Sequence, residues 1–274
     1  MRYLRISTLV IFAASILFAA WANIQYYGNI NTEPPQLQGS TDTLAISVAD
    51  GEKAIFRGLT AEDAIDGDLT DQIMVSSVSH FIEPATVMVK YVVFDSHNNS
   101  ASFSRKVFYT DYTAPRFSLS KTPVYTVGKS FDLLSYIQVQ DSLDGEISDH
   151  VRVISNMVNC FSAGVYPVVL EVSNSCGDTE QVTIWVTYTT KENTALIALR
   201  DHIVYVEQGQ QLDPYAYISS VTDLQNRPLD QRNLTVQGNP DMETPGAYQI
   251  TYSYADSTRS GQTTLTVVVT ERQA

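Results

Sequence analysis

The stretch Gly246-Ala247-Tyr248-Gln249-Ile250-Thr251-Tyr252-Ser253-Tyr254-Ala255-Asp256 alternates apolar and polar side chains with a period of two. That period belongs to a strand with one buried face. Tyr248, Ile250, Tyr252 and Tyr254 point one way; Gln249, Thr251 and Ser253 point the other. Gly246 opens the strand, and a turn from Asp256 to Gly261 closes it. Leu265, Val267 and Val269 then alternate again, as an antiparallel neighbour would. The same unit occurs twice upstream. Val87, Val89, Tyr91 and Val93 precede the turn at Asp95-Ser96-His97-Asn98-Asn99. Tyr166, Val168, Leu170 and Val172 precede Asn174-Ser175-Cys176-Gly177-Asp178, and Val182, Ile184, Val186 and Tyr188 follow it.

A chain made of copies is read by its period. Thr32-Glu33-Pro34, Thr113-Ala114-Pro115 and Thr194-Ala195-Leu196 open the three copies, 81 residues apart in both intervals. Proline at such a start fixes an extended lead-in and removes a donor from a sheet edge. Each copy also holds a turn ahead of its late strands. The first is Asp63-Ala64-Ile65-Asp66-Gly67-Asp68-Leu69, the second Asp141-Ser142-Leu143-Asp144-Gly145-Glu146-Ile147, and the third an eroded Asp223-Leu224-Gln225-Asn226-Arg227-Pro228-Leu229. No segment after residue 23 keeps a long helical period, and Gly, Pro and Asn turns are frequent. The expected fold is therefore all-β: three tandem immunoglobulin-like β-sandwiches after an N-terminal hydrophobic helix. The expected limits are 1–31 for a cytoplasmic start, a signal-anchor helix at about 6–22 and a tether; 32–112 for module 1; 113–190 for module 2; and 194–271 for a divergent module 3. The linkers 110–112 and 189–193 are short and favour a semi-rigid rod.

The order T-x-P, D-x-x-D-G-[DE]-[LI], G-x-Y-x-V-x-[YL] and a D/N-containing turn resembles the bacterial surface-protein Ig-like domain family, with the related hyalin-type repeats. The likeness covers residues 32–112 and 113–190 well. Module 3 keeps the Gly-x-Tyr strand and lacks the Asp-Gly. The resemblance implies an immunoglobulin-like sandwich on a bacterial cell surface, with no enzyme activity and no assigned partner.

The net charge of −13 disfavours nucleic acid, because an acidic surface repels a phosphate backbone. Arg2 and Arg5 precede an apolar run from Ile6 to Ala22, near the lower length limit for a membrane-spanning helix. An uncleaved anchor would place Trp21, Tyr26 and Tyr27 at the interface; a signal peptide would be cut at Ala20-Trp21-Ala22. Both readings export the remainder. The preferred localisation is a single-pass protein of the cell membrane, with its N-terminus inside and its C-terminal ectodomain outside. The alternative is a protein secreted after cleavage near Ala22.

Asp63, Asp66 and Asp68, and likewise Asp141, Asp144 and Glu146, crowd hard oxygen ligands onto single loops, which is chemistry suited to Ca²⁺. The spacing does not match an EF-hand loop. The preferred reading is a turn in which Asp63 and Asp141 accept backbone N–H bonds, with no cofactor; calcium at these six residues is the alternative. His80, His97, His150 and His202 show no metal-ligand spacing, and no nucleophile elbow accompanies them. No catalytic residue is assigned. Cys160 and Cys176 permit a disulfide in an exported module, yet they fall at opposite ends of the 165–173 strand, beyond bridging distance. Most tyrosines face inward, so a sugar-stacking strip is not the preferred reading. The expected function is a membrane-anchored extracellular repeat protein with a structural, adhesive or protein-interaction role. The alternatives are a glycan-binding module, or a spacer or accessory subunit of an exported enzyme or envelope machine. The expected partners are the membrane, through the N-terminal helix, and an extracellular protein or glycan.

Overall fold

The computed structural model describes residues 12–24, 31–190 and 194–272. They comprise one N-terminal helix and a succession of short sheets. Residues 1–110 and 111–274 form two compact units.

The first unit contains β1 (Gln36–Gly39), β2 (Thr43–Ile46), β3 (Leu59–Asp63), β4 (Gly67–Asp68), β5 (Met74–Glu83), β6 (Thr86–Phe94) and β7 (Ser100–Tyr109). One sheet runs β1-β3-β4 and the other β2-β7-β6-β5. The inward set Val87, Val89, Tyr91 and Val93 is fully buried between them, with Val107, Leu59, Ala61 and Ile46. Removing each such aliphatic side chain from water contributes about 1.5–3 kcal/mol. One large side chain departs from this pattern. Arg105 on β7 is 1% exposed and faces the same core. Its guanidinium donates to the carbonyls of Ile55 and Arg57 at 2.7 and 2.8 Å and stacks over Tyr91.

The second unit begins with β8 (Arg116–Leu119), β9 (Val124–Thr126), β10 (Ile137–Asp141), β11 (Gly145–Glu146), β12 (Arg152–Asn156), β13 (Gly164–Ser173) and β14 (Thr179–Thr189). These form the sheets β11-β10-β8 and β12-β13-β14-β9. It continues with β15 (Ala195–Leu199), β16 (Ile203–Glu207), β17 (Ile218–Asp223), β18 (Leu234–Gln237), β19 (Gly246–Ala255) and β20 (Ser260–Thr270). Here the sheets are β15-β17 and β16-β20-β19-β18. Each module repeats one plan. Its first strand is broken in two, the earlier half pairing antiparallel in the small sheet and the later half pairing parallel with the last strand. The modules are tandem immunoglobulin-like β-sandwiches.

Modules 2 and 3 touch directly, beyond the short linker that joins them. Module 3 lays the outer face of β20 and β16 against module 2. Thr266 Oγ1 donates to the Thr183 carbonyl at 2.7 Å, and the Phe117 N–H donates to Tyr205 Oη at 2.9 Å. Ile203 and Val268 join the apolar cluster of module 2. Consequently Thr264, Thr266 and Val268 are as buried as the inward Leu265 and Val267. The second apolar face of Ile203-Val204-Tyr205-Val206 accounts for this contact, because a strand apolar on both sides needs cover on both.

The N-terminal helix is described over 12–24, later than the expected 6–22, whose first part lies outside the described residues. Its apolar side chains are exposed, from Ile16 at 53% to Leu17 at 71%. Among the described residues no helix is long and apolar enough to cross a membrane.

Candidate functional site

The acidic turns hold the densest polar chemistry of the described chain, and the fold brings each against a second turn. In module 1, Asp63 Oδ1 accepts the N–H groups of Ile65 and Asp66 at 2.8 and 2.9 Å. The carboxylate of Asp66 reaches across to the turn after β6, accepting from Ser96 N–H at 2.8 Å and from Ser96 Oγ at 2.9 Å. Module 2 repeats this bond for bond. Asp141 Oδ1 accepts from Leu143 and Asp144 at 2.8 and 2.9 Å, and Asp144 accepts from Ser175 N–H and Oγ at 2.6 and 2.7 Å. A side chain accepting from amides two and three residues on makes a one-residue staple for the turn. Gly67 and Gly145 both take φ +74°, left-handed backbone in which a side chain is strained.

Asp68 and Glu146, the remaining members of the proposed ligand set, cap the short 3-10 turns that follow. Asp68 accepts from Thr70 N–H at 2.9 Å and Glu146 from Ser148 N–H at 3.3 Å. The Thr70 bonds hold the Asp68 carboxyl below the usual range. The six candidate carboxylates are thus brought to two separate turns, and each accepts from the chain's own groups.

The structure brings the turn after β6, with Asp95 and His97, against the acidic turn of module 1. Asp95, 6% exposed, accepts from the N–H groups of His97 and Asn99 and from the side-chain amides of Asn31 and Asn99. Burial works against its charged form, but the Asn99 and His97 bonds more than offset that and hold its carboxyl low. Asp66, Asp95 and His97 each bring one ligand-type atom within 4.8 Å of the others. His97 Nδ1 lies 3.1 Å from Ser96 Oγ, which itself binds Asp66. A catalytic relay needs the imidazole between the acid and the serine. Here the serine stands between the two. Module 2 keeps the same serine–aspartate clasp with Cys176 in the histidine's place, and Asn174 in that of Asp95 donates to Asp141 at 3.2 Å. The clasp therefore recurs without the histidine. The recurring Asp/Asn-Ser pair after each late strand was the sequence signal for it.

Module 3 shows what the turn requires. Asp223 again accepts from two amides, Gln225 and Arg227, both at 2.9 Å. Asn226 takes the left-handed position (φ +60°), a conformation that asparagine tolerates. The second acidic residue is gone, and Arg227 Nε pairs with Asp223 at 2.7 Å instead. The Arg227 amide is the largest influence holding the Asp223 carboxyl low. In the partner turn, Asp256 accepts from Thr258 and Arg259 amides, and these bonds, Thr258 first, lower its pKa to about 2. One bond marks all three turns as equivalent: the amides of Leu69, Ile147 and Leu229 donate to the carbonyls of Ala61, Val139 and Val221 at 2.8, 3.0 and 2.9 Å.

Cys160 and Cys176 are both free thiols. Cys160 precedes the ten residues of β13 and Cys176 follows them, which separates them by about 30 Å at ~3.3 Å per residue. Burial pushes the Cys176 thiol up. Tyr91, Tyr188, Tyr252 and Tyr254 are buried, while the large exposed aromatics of the sandwiches, Phe94, Phe108, Phe161 and Tyr215, are distributed over three modules.

No protein-family model matches the chain. Over 153 residues, 53% of its length, the chain is 28% identical to the pesticidal crystal protein Cry22Aa of Bacillus thuringiensis, and it spans 20% of that protein. Among solved structures, one of Clostridium perfringens ZmpB, holding CBM51-2 in complex with GlcNAc and INT domains, is 20% identical. It matches 54% of this chain and 26% of that one, at a TM-score of 0.24. Drosophila N-cadherin EC1-3 is 12% identical over 85% of this chain and 98% of that one, at a TM-score of 0.30.

Proposed function

We propose that this chain is a non-catalytic extracellular repeat protein of the bacterial envelope, tethered through its N-terminal apolar segment, whose sandwiches space or present an adhesive surface. The observation that carries this reading is where the polar chemistry goes. Asp63, Asp66, Asp141 and Asp144 bind the chain's own amides and hydroxyls, so the acidic turns act as internal clasps. A resident cofactor is not needed for that role, and module 3 forms the equivalent turn with Asn226 where the second acid stands and Arg227 paired to Asp223. The scattered exposed aromatics favour spacing over sugar stacking, which works best from a flat aromatic platform. The exposed apolar helix at 12–24 supports the tether, since an apolar surface on all sides is covered in lipid.

The test is fractionation and protease shaving of intact cells that express the chain with a C-terminal epitope. The expected result is an epitope in the membrane fraction that external protease removes. An epitope protected in the cytosol refutes export, and an epitope in the medium on a chain starting near Ala22 refutes the tether. A glycan array probed with the detergent-solubilised chain separates the alternative: saturable binding to one glycan class would replace the spacer reading by a glycan-binding one.

A further inference from the structure

We propose that the tip of the β12–β13 hairpin, residues 157–163 of module 2, is a second membrane contact, which dips Met157 and Phe161 into the interface of an uncharged phospholipid surface.

The sequence sets the chemistry. Val153 to Leu170 is 18 residues without a charged side chain, the longest such run after Glu33, in a chain of net charge −13. The sister hairpins are built differently. Module 1 turns from β5 to β6 through Glu83-Pro84-Ala85, with Glu83 paired to Lys106. The module 3 loop between β18 and β19 carries Asp241 and Glu243. A charge at membrane depth is costly, so of the three tips the one in module 2 is free to enter lipid.

The structure presents the tip for that role. Phe161 is 82% exposed and Met157 68%, the two highest values among the large apolar side chains of the described sandwiches, with Ile154 and Val153 exposed behind them on β12. Val158 and Cys160 alternate with them and pack against the module core, which holds the tip in place. Backbone that enters lipid must bring its own partners. Met157 N–H donates to the Pro167 carbonyl at 3.3 Å and Ser162 N–H to the Asn159 carbonyl at 3.3 Å. Val158 N–H donates to Asn156 Oδ1 and Phe161 N–H to Asn159 Oδ1, both at 3.0 Å. The Cys160 carbonyl accepts from Gly128 N–H at 2.8 Å, and the Ser162 carbonyl from Tyr166 Oη at 3.0 Å. Lys129, next to Gly128, is exposed, and a long apolar stem lets its ammonium reach headgroup phosphate.

Size decides between lipid and a protein partner. Val153, Ile154, Met157 and Phe161 together expose roughly 500 Å², against about 800 Å² per partner in a stable protein interface. A bilayer interface needs no matching groove and takes apolar area as it comes. The chain's negative charge disfavours an anionic surface, so the lipid partner is a neutral one. This contact is separate from the tether at 12–24, and the test reads the two apart.

The chain's tryptophans are Trp21 and Trp185, the latter half-buried on β14. Three full-length chains are reconstituted with phosphatidylcholine vesicles, plain or brominated on the acyl chains. Trp185→Phe leaves Trp21 to report the N-terminal segment, and Trp21→Phe leaves Trp185 as the control. Phe161→Trp, with Trp21→Phe and Trp185→Phe, reports the tip. Brominated lipid should quench the Phe161→Trp reporter and shift its emission to the blue, while Trp185 stays unquenched. Adding Met157→Glu should lower the reporter's inserted-to-free ratio roughly tenfold or more. A tip reporter that brominated lipid leaves unquenched, or that Met157→Glu leaves unchanged, overturns the proposal; quenching at Trp21 alone does so while the tether stands. Quenching at the tip and not at Trp21 upholds the contact and removes the tether. A blue shift that follows protein concentration, with no quenching by brominated lipid, marks a second copy as the occupant and also overturns it. Should the Phe161→Trp chain misfold, Met157→Trp in the same background takes its place.

Discussion

Replacing Asp141 by alanine isolates what an acidic turn contributes. The residue is 1% exposed. Its Oδ1 accepts two turn amides at 2.8 and 2.9 Å, and its Oδ2 accepts the Asn174 side-chain amide at 3.2 Å. Hydrogen bonds to a charged acceptor contribute about 1.5–3 kcal/mol each. The turn lies near the surface, where water can reach the freed amides, so the lower figure applies to those two. Asn174 is 6% exposed and loses a buried partner. The expected loss is about 3–5 kcal/mol, a large share of the 5–15 kcal/mol of an ordinary domain. With a urea m-value of about 2 kcal/mol/M, the midpoint should fall by roughly 1.5–2.5 M. Asp141→Asn keeps one acceptor but turns an amide towards the Asn174 amide, so it should fall between parent and alanine. Urea unfolding followed by far-UV circular dichroism measures this. Calcium adds a second arm: a ligand that binds only the folded state raises stability by RT ln(1 + [L]/Kd). Equal midpoints in millimolar calcium and in chelator are expected. A loss under about 0.5 kcal/mol, or a midpoint raised by calcium, would refute the staple.

Arg105→Ala should destabilise the first unit by about 3 kcal/mol, since the Arg57 carbonyl loses its donor, the Ile55 carbonyl keeps only Tyr91 Oη, and a void opens. Arg105→Leu, which copies Ile184 and Leu265 at the equivalent register, should cost clearly less; thermal unfolding of both variants orders them. Asp256 is held at about pH 2 by the Thr258 and Arg259 amides, so its contribution is present above 3.8 and lost as pH falls through about 2. Acid titration of Asp256→Asn should show a shallower stability loss between pH 4 and 2 than the parent. Thiol counting should give two free cysteines in denaturant and, in the native chain, faster labelling at partly exposed Cys160 than at buried Cys176.

The alternation around Tyr252 made the sandwich legible, because a period of two with turn residues at both ends leaves little choice of fold. The staples at Asp63 and Asp141 were legible for the same local reason: a short acid two residues before an exposed amide closes on its own backbone. What the sequence concealed is tertiary. Ser96 and Ser175 look like turn filler until the fold sets them against Asp66 and Asp144. Thr264 and Thr266 look like a solvated face, yet they are 4% and 3% exposed under module 2. Threonine misleads here because its hydroxyl can be satisfied by a carbonyl across a dry contact, as Thr266 does with Thr183. Asp95 and His97 lie about thirty residues beyond Asp66, a separation no local motif spans.

The parallel pairing of each module's second strand segment with its last strand has a mechanical consequence. Thr43–Ile46 runs beside Lys106–Tyr109, and Ile203–Glu207 beside Thr266–Thr270. Chain enters one of these strands and leaves the other in the same direction, so a pull on the two ends slides them past one another. The ladder bonds between them are then loaded together, in shear, instead of parting one at a time as in a zipper. Strands arranged this way yield late and abruptly under tension, and rupture there is governed by the unfolding rate more than by equilibrium stability. A chain held at one end and stretched by whatever grips the other would transmit load through these clamps before any sandwich opens.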